Sequence, residues 1–185
     1  MNKKIKLVAG IVGFILLIAL AVLAYNLLSN QVSPDAKMRE SGERGQPAID
    51  FRMADWDGSD IRLSDFIAQG KPVVINFWAS WCPPCVVEMP DFNRAYLELG
   101  NEVQFIMLNL ADGMRETVQT GKNFIEQHGF SFPVLFDTRQ DAARAYQIQS
   151  IPTTVFIDRD GYLSGRPVIG MIDEQALRRR IALIQ

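Results

Sequence analysis

The chain has 185 residues, of which 48% are hydrophobic and 22% are charged, a composition typical of a folded globular protein. The net charge is −2, and Lys3, Lys4 and Lys6 precede the first acidic residue, so the rest of the chain is acidic and a poor candidate for binding nucleic acid. Two cysteines and one histidine are too few for a closed zinc site or for several disulfides, so we expect no metal and no cofactor.

The N-terminal segment is an uncharged, apolar run from Leu7 to Tyr25, which Leu27 and Leu28 extend. A helix of this length, at about 1.5 Å per residue, covers nearly the ~30 Å hydrocarbon core of a bilayer. The lysines in front of the run favour a cytoplasmic N-terminus by the positive-inside rule. We therefore predict that residues 1–28 form a signal-anchor helix that spans the cell membrane once and places the rest of the chain outside the cytoplasm.

Cleavage of this segment as a secretory signal peptide is the main alternative. The residues Ala19-Leu20-Ala21 have the small-residue pattern of a cleavage site, but the apolar run continues past it, which favours an anchor. Both interpretations export the rest of the chain. Only a buried core helix would not, and such a helix is seldom apolar on all sides directly after a lysine cluster.

Residues 29–46 are polar and contain Pro, Gly, Ser and charges of both signs, which is typical of a linker. The folded domain is therefore predicted over residues 47–185, which is long enough for one hydrophobic core. Within this domain, the run from Val73 to Trp78 is apolar almost throughout. That pattern predicts a central strand that is covered on both faces of a sheet.

The other elements of the domain follow from alternating apolar residues, turn signals and helix caps. A strand at 49–53, a turn at Asp57-Gly58 and a return strand at 61–63 predict an N-terminal β-hairpin. The remaining predicted elements are helices at 64–68, 84–99, 116–127, 138–146 and 173–183 and strands at 103–110, 134–136, 154–158 and 162–169. This order predicts an α/β fold with a central mixed sheet flanked by helices.

Both cysteines lie in one motif, Trp81-Cys82-Pro83-Pro84-Cys85, between the central strand and the next helix. Cys82 is thus expected at a helix N-terminus, where free backbone N–H groups and the helix dipole favour the thiolate. Cys85, one turn further on, is close enough to form a disulfide with it. We therefore predict thiol–disulfide exchange at this motif, in which Cys82 reacts with the substrate and Cys85 resolves the mixed disulfide.

Two simpler interpretations of the motif are weaker. Half a zinc site would need ligands that the chain lacks, and a structural disulfide that closes so short a loop would stabilise little. The residues 76–85 (NFWASWCPPC), followed by Pro90 and Ile151-Pro152-Thr153-Thr154, resemble the thioredoxin superfamily, and within it the membrane-anchored, extracytoplasmic TlpA/ResA-like branch. The chain also resembles that branch in three further features, which are the predicted hairpin, the extra segment around 112–132 and Glu88.

This resemblance implies a thioredoxin-like fold with an N-terminal β-hairpin and a central insertion. It also implies roles for three residues outside the cysteine pair. Pro152 would be a cis-proline that faces the disulfide, and the backbone of Ile151 would pair with a substrate strand. Trp81 would shape the rim of the site, although a Trp at this position could equally be a packing residue.

The resemblance to cytoplasmic thioredoxins is broken at one position on the central strand. Those proteins carry a buried Asp there, whereas this chain has Asn76, which cannot titrate. Glu88 follows Cys85 by three residues on the same face of the helix and could supply the missing acid–base function. The simpler alternative is that Glu88 is an exposed glutamate on the helix surface.

The function implied by the resemblance is that of an extracytoplasmic thiol–disulfide oxidoreductase that reduces specific protein disulfides, for example those of apocytochrome c during cytochrome c maturation. Because exported compartments are oxidising, a transmembrane thiol carrier of the CcdA/DsbD type is the expected electron donor. An exported methionine sulfoxide reductase or a copper-site assembly protein is an alternative client.

Two further function classes fit the motif less well. A thioredoxin-fold peroxidase would carry Pro-x-x-x-Thr-x-x-Cys, and Trp78 and Ala79 do not match that context. A pure binding or scaffolding module would not need an intact Cys-x-x-Cys pair.

Overall fold

A computed structural model describes residues 11–24 and 45–185. The chain divides into two units, 1–43 and 44–185, which are described separately. In the first unit, residues 11–24 are helical and exposed. No helix within the described ranges is both long enough and apolar enough to cross a membrane. Both ends of the predicted anchor and most of the predicted linker lie outside the described residues, and their boundaries stay predictions.

The second unit contains seven strands and five helices within its described residues. The strands are β1 (Arg52–Ala54), β2 (Asp60–Arg62), β3 (Val73–Trp78), β4 (Gln104–Asn109), β5 (Val134–Phe136), β6 (Thr153–Ile157) and β7 (Val168–Ile169). The helices are α1 (Leu63–Ile67), α2 (Pro83–Leu99), α3 (Val118–His128), α4 (Asp141–Ala145) and α5 (Glu174–Ile181).

All seven strands join one sheet in the order β2-β1-β5-β4-β3-β6-β7. Strands β3, β4 and β5 are parallel, whereas β6 runs antiparallel to β3 and β1 antiparallel to β5. Strands β1 and β2 form the predicted antiparallel hairpin. The mixed sheet with flanking helices confirms the predicted thioredoxin-like α/β fold, and α3 lies in the insertion between β4 and β5.

The sheet is covered on both faces because its central strands are apolar at almost every position. All six residues of β3 are buried. Side chains alternate along a strand, so Val74 and Trp78 join a core cluster with α2, α3 and α5, while Ile75 and Phe77 join a second cluster with α1 and α4. The carboxyl end of β3 is therefore held rigidly between two layers of helices, and the cysteine motif follows directly.

The N-terminal hairpin differs from its prediction at both ends. The first strand begins at Arg52 rather than at residue 49, because its pairing with β2 begins where Arg52 lies opposite Arg62, and before that pair the Asp50 carboxylate accepts hydrogen bonds from the Arg62 side chain and from the Ser64 N–H. Ser64, the first residue of the predicted helix at 64–68, is the second residue of α1. The helix begins one residue earlier, and the Arg62 N–H donates to Asp65 Oδ2 at 2.9 Å.

Helix α3 begins two residues later than the predicted start at Glu116. Thr117 is its N-cap, and the Thr117 hydroxyl accepts the Thr120 N–H at 3.1 Å. Gly129 ends the helix in the left-handed conformation (φ 67°), as its sequence position predicts. Because Glu116 lies before the cap, it belongs to the preceding loop, and its side chain lies in the interior.

Asp137 is a buried acid that joins β5 to the start of α4. Its side chain is fully buried, and its carboxylate accepts the N–H groups of Ala142 at 3.2 Å and Ala143 at 2.8 Å. Burial raises the pKa of the Asp137 carboxyl, and the hydrogen bonds partly oppose that rise. The carboxylate thus satisfies backbone donors that the five-residue helix leaves free.

We expect Asp137→Ala to lower the free energy of unfolding by about 1–3 kcal/mol, because two backbone donors lose their acceptor. Urea unfolding of the oxidised protein measures this change. Asp160→Ala, at an exposed position, is the matched control and should change the free energy of unfolding by less than about 0.5 kcal/mol. Equal effects of the two substitutions would contradict the capping role of Asp137.

Candidate active site

The cysteine pair lies where the chain leaves β3 and enters α2. After Trp78 the chain makes a turn in which the Cys82 N–H donates to the Ala79 carbonyl oxygen at 3.2 Å. Cys82 is the N-cap of α2, and Pro83 and Pro84 occupy its first two positions. Cys82 and Cys85 form a disulfide with a Cα–Cα distance of 5.3 Å. The predicted position of the motif at a helix N-terminus is confirmed.

The sulfur of Cys82 is the one closer to solvent. Cys82 is 3% exposed and Cys85 is fully buried, while Trp81, at 39% exposure, stands beside them on the rim. The Cys85 N–H donates to Cys82 Sγ at 3.4 Å. A backbone donor aimed at this sulfur stabilises negative charge on it, so the geometry suits a thiolate at Cys82 once the disulfide is reduced.

A cis-proline loop faces the disulfide, as the resemblance implies. The Ile151–Pro152 peptide bond is cis, and the Ile151 carbonyl oxygen lies 3.7 Å from Cys82 Sγ. A disulfide sulfur carries no proton, so this is a contact rather than a hydrogen bond. The Pro152 carbonyl oxygen accepts the Gly170 N–H at 2.8 Å, which ties the loop to the chain after β7.

Trp81 and Ile151 meet at one groove beside the disulfide. The groove has a volume of about 340 Å³. Its lining residues are mostly uncharged and comprise Trp81, Leu110, Asp112, Gln140, Ile148, Gln149, Ser150 and Ile151. Two residues to which the resemblance gives a role in substrate binding therefore border the same groove, next to the more exposed sulfur.

Glu88 lies behind the disulfide, one helical turn after Cys85, and it is only 1% exposed. Its two oxygens each accept a hydrogen bond, Oε1 from Asn76 Nδ2 at 2.7 Å and Oε2 from the Ile172 N–H at 2.8 Å. Burial raises the pKa of Glu88 to about 7, and both hydrogen bonds oppose that rise. The structure thus excludes an exposed helix glutamate and makes Glu88 a group that titrates near neutral pH.

Asn76 is the partner that connects Glu88 to the central strand. Its Nδ2 donates both to Glu88 and to Thr154 Oγ1, the latter at 3.1 Å. Thr154 lies on β6, two residues after the cis-proline. The three side chains form a buried polar group that extends from α2 through β3 to β6.

Glu116 is a buried acid near the site that the sequence does not single out. It is 1% exposed, and its carboxylate accepts from Ser80, two residues before Cys82, and from Asn109 at the end of β4. A signal was present: β3 and β4 are parallel and end side by side, so polar residues just after them should meet. The prediction of Glu116 as the first residue of a helix places it away from this edge of the sheet, so the sequence does not indicate its contact with Ser80.

The raised pKa of Glu88 predicts a pH dependence of stability. The folded protein binds the Glu88 proton more tightly than the unfolded chain, whose glutamate has the ordinary value of 4.5. The stabilisation is therefore fully present below about pH 4.5 and is lost as the pH rises through about 7, with a total on the order of 3 kcal/mol.

We expect Glu88→Gln to remove this part of the pH dependence, because the amide does not titrate. The measurement is urea unfolding of the oxidised wild-type and variant proteins at pH 5 and pH 8. The wild-type protein should lose more stability between the two values than the variant does. Parallel pH profiles would show that Glu88 does not have a raised pKa in the folded protein.

Residues 44–165 match the model of the AhpC/TSA family. The chain is 36% identical over 160 residues to the thiol-disulfide oxidoreductase ResA of Bacillus cereus, with 86% of each chain covered. It is 30% identical over 172 residues to ResA of Bacillus subtilis, with 92% of this chain and 90% of that protein covered.

Solved structures give the same result. The structure of a putative thiol:disulfide interchange protein DsbE from Chlorobium tepidum is similar with a TM-score of 0.67 at 29% identity, covering 77% of this chain and 97% of that one. StoA from Bacillus subtilis is similar with a TM-score of 0.61 at 28% identity, covering 72% of this chain and 98% of that one. The chain therefore belongs to the AhpC/TSA family of thioredoxin-fold proteins, and it is a thiol–disulfide oxidoreductase similar to ResA.

Proposed function

We propose that the protein is a membrane-anchored, extracytoplasmic reductant of specific protein disulfides, with apocytochrome c as the client that its resemblance to the TlpA/ResA-like branch suggests. The observation that carries this proposal is the Cys82–Cys85 disulfide at the N-terminus of α2, opposite the cis-proline loop and in front of the buried Glu88. This arrangement combines the more exposed sulfur of the pair, a resolving sulfur and a proton acceptor in one site.

The reaction begins with the reduced protein. The Cys82 thiolate attacks one sulfur of the client disulfide, the client S–S bond breaks, and the released client sulfur takes up a proton. Cys85 then loses its proton and attacks Cys82 Sγ, which breaks the mixed disulfide and releases the second client thiol. The client gains two electrons and two protons, and the enzyme is left with the Cys82–Cys85 disulfide.

Glu88 is placed to accept the proton of Cys85 in the second step. It lies one helical turn after Cys85, and its pKa of about 7 lets it exchange a proton at neutral pH. Its hydrogen bonds from Asn76 and Ile172 favour the carboxylate, which is the form that accepts a proton. Glu88 thus takes the part that a titrating group on the central strand would otherwise play.

We expect Glu88→Gln to slow disulfide reduction at pH 7 by about 100-fold, the lower end of what a general acid or base contributes. The second-order rate constant with an oxidised peptide is measured from pH 5 to 9 under single-turnover conditions. The inflection near pH 7 should be absent in the variant. An unchanged rate and an unchanged profile would leave Glu88 as a purely structural residue.

The proposed location follows from the three lysines before the apolar run at the N-terminus. We expect a fusion of alkaline phosphatase to Gln185 to be active in cells, because that enzyme needs an exported compartment to form its disulfides. The fusion protein should fractionate with membranes. The control is the same fusion without residues 1–28, which should be inactive and soluble. An inactive full-length fusion, together with an active cytoplasmic reporter at the same position, would overturn the orientation.

The client can be identified by trapping the mixed disulfide. Because Cys85 breaks that intermediate, Cys85→Ser should accumulate covalent adducts in the native host that disappear on reduction. Cys82→Ser is the matched control and should accumulate far fewer adducts, because it lacks the sulfur that attacks the client. A folded and exported Cys85→Ser protein without reducible adducts would argue against protein disulfides as substrates.

The identity of the trapped partner separates the remaining hypotheses. An adduct with apocytochrome c supports the proposed client. A methionine sulfoxide reductase or a copper-site assembly protein would instead support the alternative clients. A polytopic thiol carrier of the CcdA/DsbD type would identify the electron donor, because the oxidised enzyme must be reduced again through the same cysteine.

A further inference from the structure

The turn that precedes Cys82 is contacted by a loop from the insertion between β4 and β5. The turn consists of Ala79, Ser80, Trp81 and Cys82, with Ser80 and Trp81 as its central residues. The two consecutive loop residues Arg115 and Glu116 contact these two central residues, one each. The loop residues 112–116 are called the brace loop below.

Glu116 holds the backbone and side chain of Ser80. Its Oε1 accepts the Ser80 N–H at 3.1 Å and Asn109 Nδ2 at 2.7 Å, and its Oε2 accepts the Ser80 hydroxyl at 2.7 Å. The side chain is almost fully buried. A buried carboxylate with three donors is costly to move, because every donor would lose its acceptor. The first central residue of the turn is therefore fixed to the end of β4.

Arg115 holds the side chain of Trp81. The carbon at the centre of its guanidinium group lies 3.5 Å from the centroid of the Trp81 ring, a distance typical of a stacked cation–π pair. Trp81 is 39% exposed, so little else restrains its outer face. The guanidinium group thus covers one face of an aromatic side chain that borders both the disulfide and the groove.

The brace loop is itself well ordered by its own hydrogen bonds. Asp112 Oδ1 accepts the N–H groups of Met114, Arg115 and Glu116 at 2.8, 2.9 and 3.0 Å. The Gly113 N–H donates to the Glu116 carbonyl oxygen at 2.9 Å, with Gly113 at a φ of 77° that favours glycine. Met114 points away and is 88% exposed. The loop is therefore rigid enough to position what it contacts.

We infer that the brace loop is a positioning element for client recognition, in which Glu116 fixes Ser80 and Arg115 fixes Trp81 so that the rim next to Cys82 keeps one shape. Asp112 lines the same groove as Trp81 and Ile151, so the loop also forms part of the wall that a client segment would meet. This inference rests on the proposed reduction of protein disulfides. Loss of the brace should weaken client binding and leave the chemistry of the cysteine pair unchanged.

The test compares variants of the full-length protein on two substrates. The client probe is an oxidised peptide that contains Cys-x-x-Cys-His, the haem-attachment pattern, and the control substrate is a low-molecular-weight aromatic disulfide. We expect Arg115→Ala to raise KM for the peptide about fivefold to tenfold, as expected for one lost contact, and Glu116→Ala to raise it at least as much, with kcat unchanged in both. The rate with the small disulfide should stay the same.

Two matched variants separate positioning from general damage. Glu116→Gln keeps an oxygen for the Ser80 and Asn109 donors and an amide that can donate to the Ser80 hydroxyl, so its KM should stay near the wild-type value. Met114→Ala changes an exposed residue of the same loop and should have no effect. If Glu116→Ala does not fold, Arg115→Ala, which alters an exposed side chain, still decides the question.

A spectroscopic measurement is independent of any client. Of the three tryptophans, Trp78 is buried, Trp56 is half-buried and Trp81 is the most exposed, so acrylamide quenching reports mainly on Trp81. Arg115→Ala should increase the quenching constant, and Met114→Ala should not. Unchanged quenching and unchanged KM in Arg115→Ala would overturn the inference. If the wild-type protein does not reduce the peptide, that result counts against the proposed client. The quenching constants of Arg115→Ala and Met114→Ala would still decide whether the brace loop restrains Trp81.

Discussion

A buried carboxylate behind the disulfide connects the main parts of the fold to the chemistry. Glu88 extends from α2, and its two oxygens are held by Asn76 of β3 and by the backbone of Ile172 just before α5. A buried carboxylate without hydrogen-bond donors would cost free energy of folding. Helix α2 can therefore pack here only while β3 and the segment before α5 keep their donors next to Glu88. The same burial raises the pKa of Glu88 to about 7, which is why a structural contact can also exchange protons.

The identity of residue 76 determines how that carboxylate behaves. An acid at this position would place two carboxyl groups within hydrogen-bond distance in a buried space, and the two would share one proton. The Asn76 amide instead donates to Glu88 Oε1 and to Thr154 Oγ1 and contributes no charge. Among the described residues, the carboxyl group that titrates behind the cysteine pair therefore lies on the helix rather than on the strand.

The parts of the site that are local in sequence could be predicted, and those that depend on distant loops could not. The strand–helix junction and the cysteine pair follow from short patterns, the cis-proline follows from the resemblance to the thioredoxin superfamily, and the position of Glu88 on the Cys85 face follows from helical periodicity. Ile172 contributes only its backbone N–H, so no side-chain pattern reveals it. The sequence pattern predicts Glu116 as a helix residue, because whether the helix begins at Glu116 or is capped by Thr117 depends on the conformation of the preceding loop.

The two prolines between the cysteines limit how strongly the helix end can act on Cys82. Helices normally begin with several free N–H groups, but Pro83 and Pro84 have none at the first two positions of α2. Among these first residues, the Cys85 N–H at 3.4 Å is the donor that faces the sulfur. A thiolate with a single such donor stays more basic than one with three, and a more basic thiolate is intrinsically the better nucleophile. The Pro-Pro pair thus leaves Cys82 Sγ with a backbone donor that belongs to Cys85, the resolving cysteine itself.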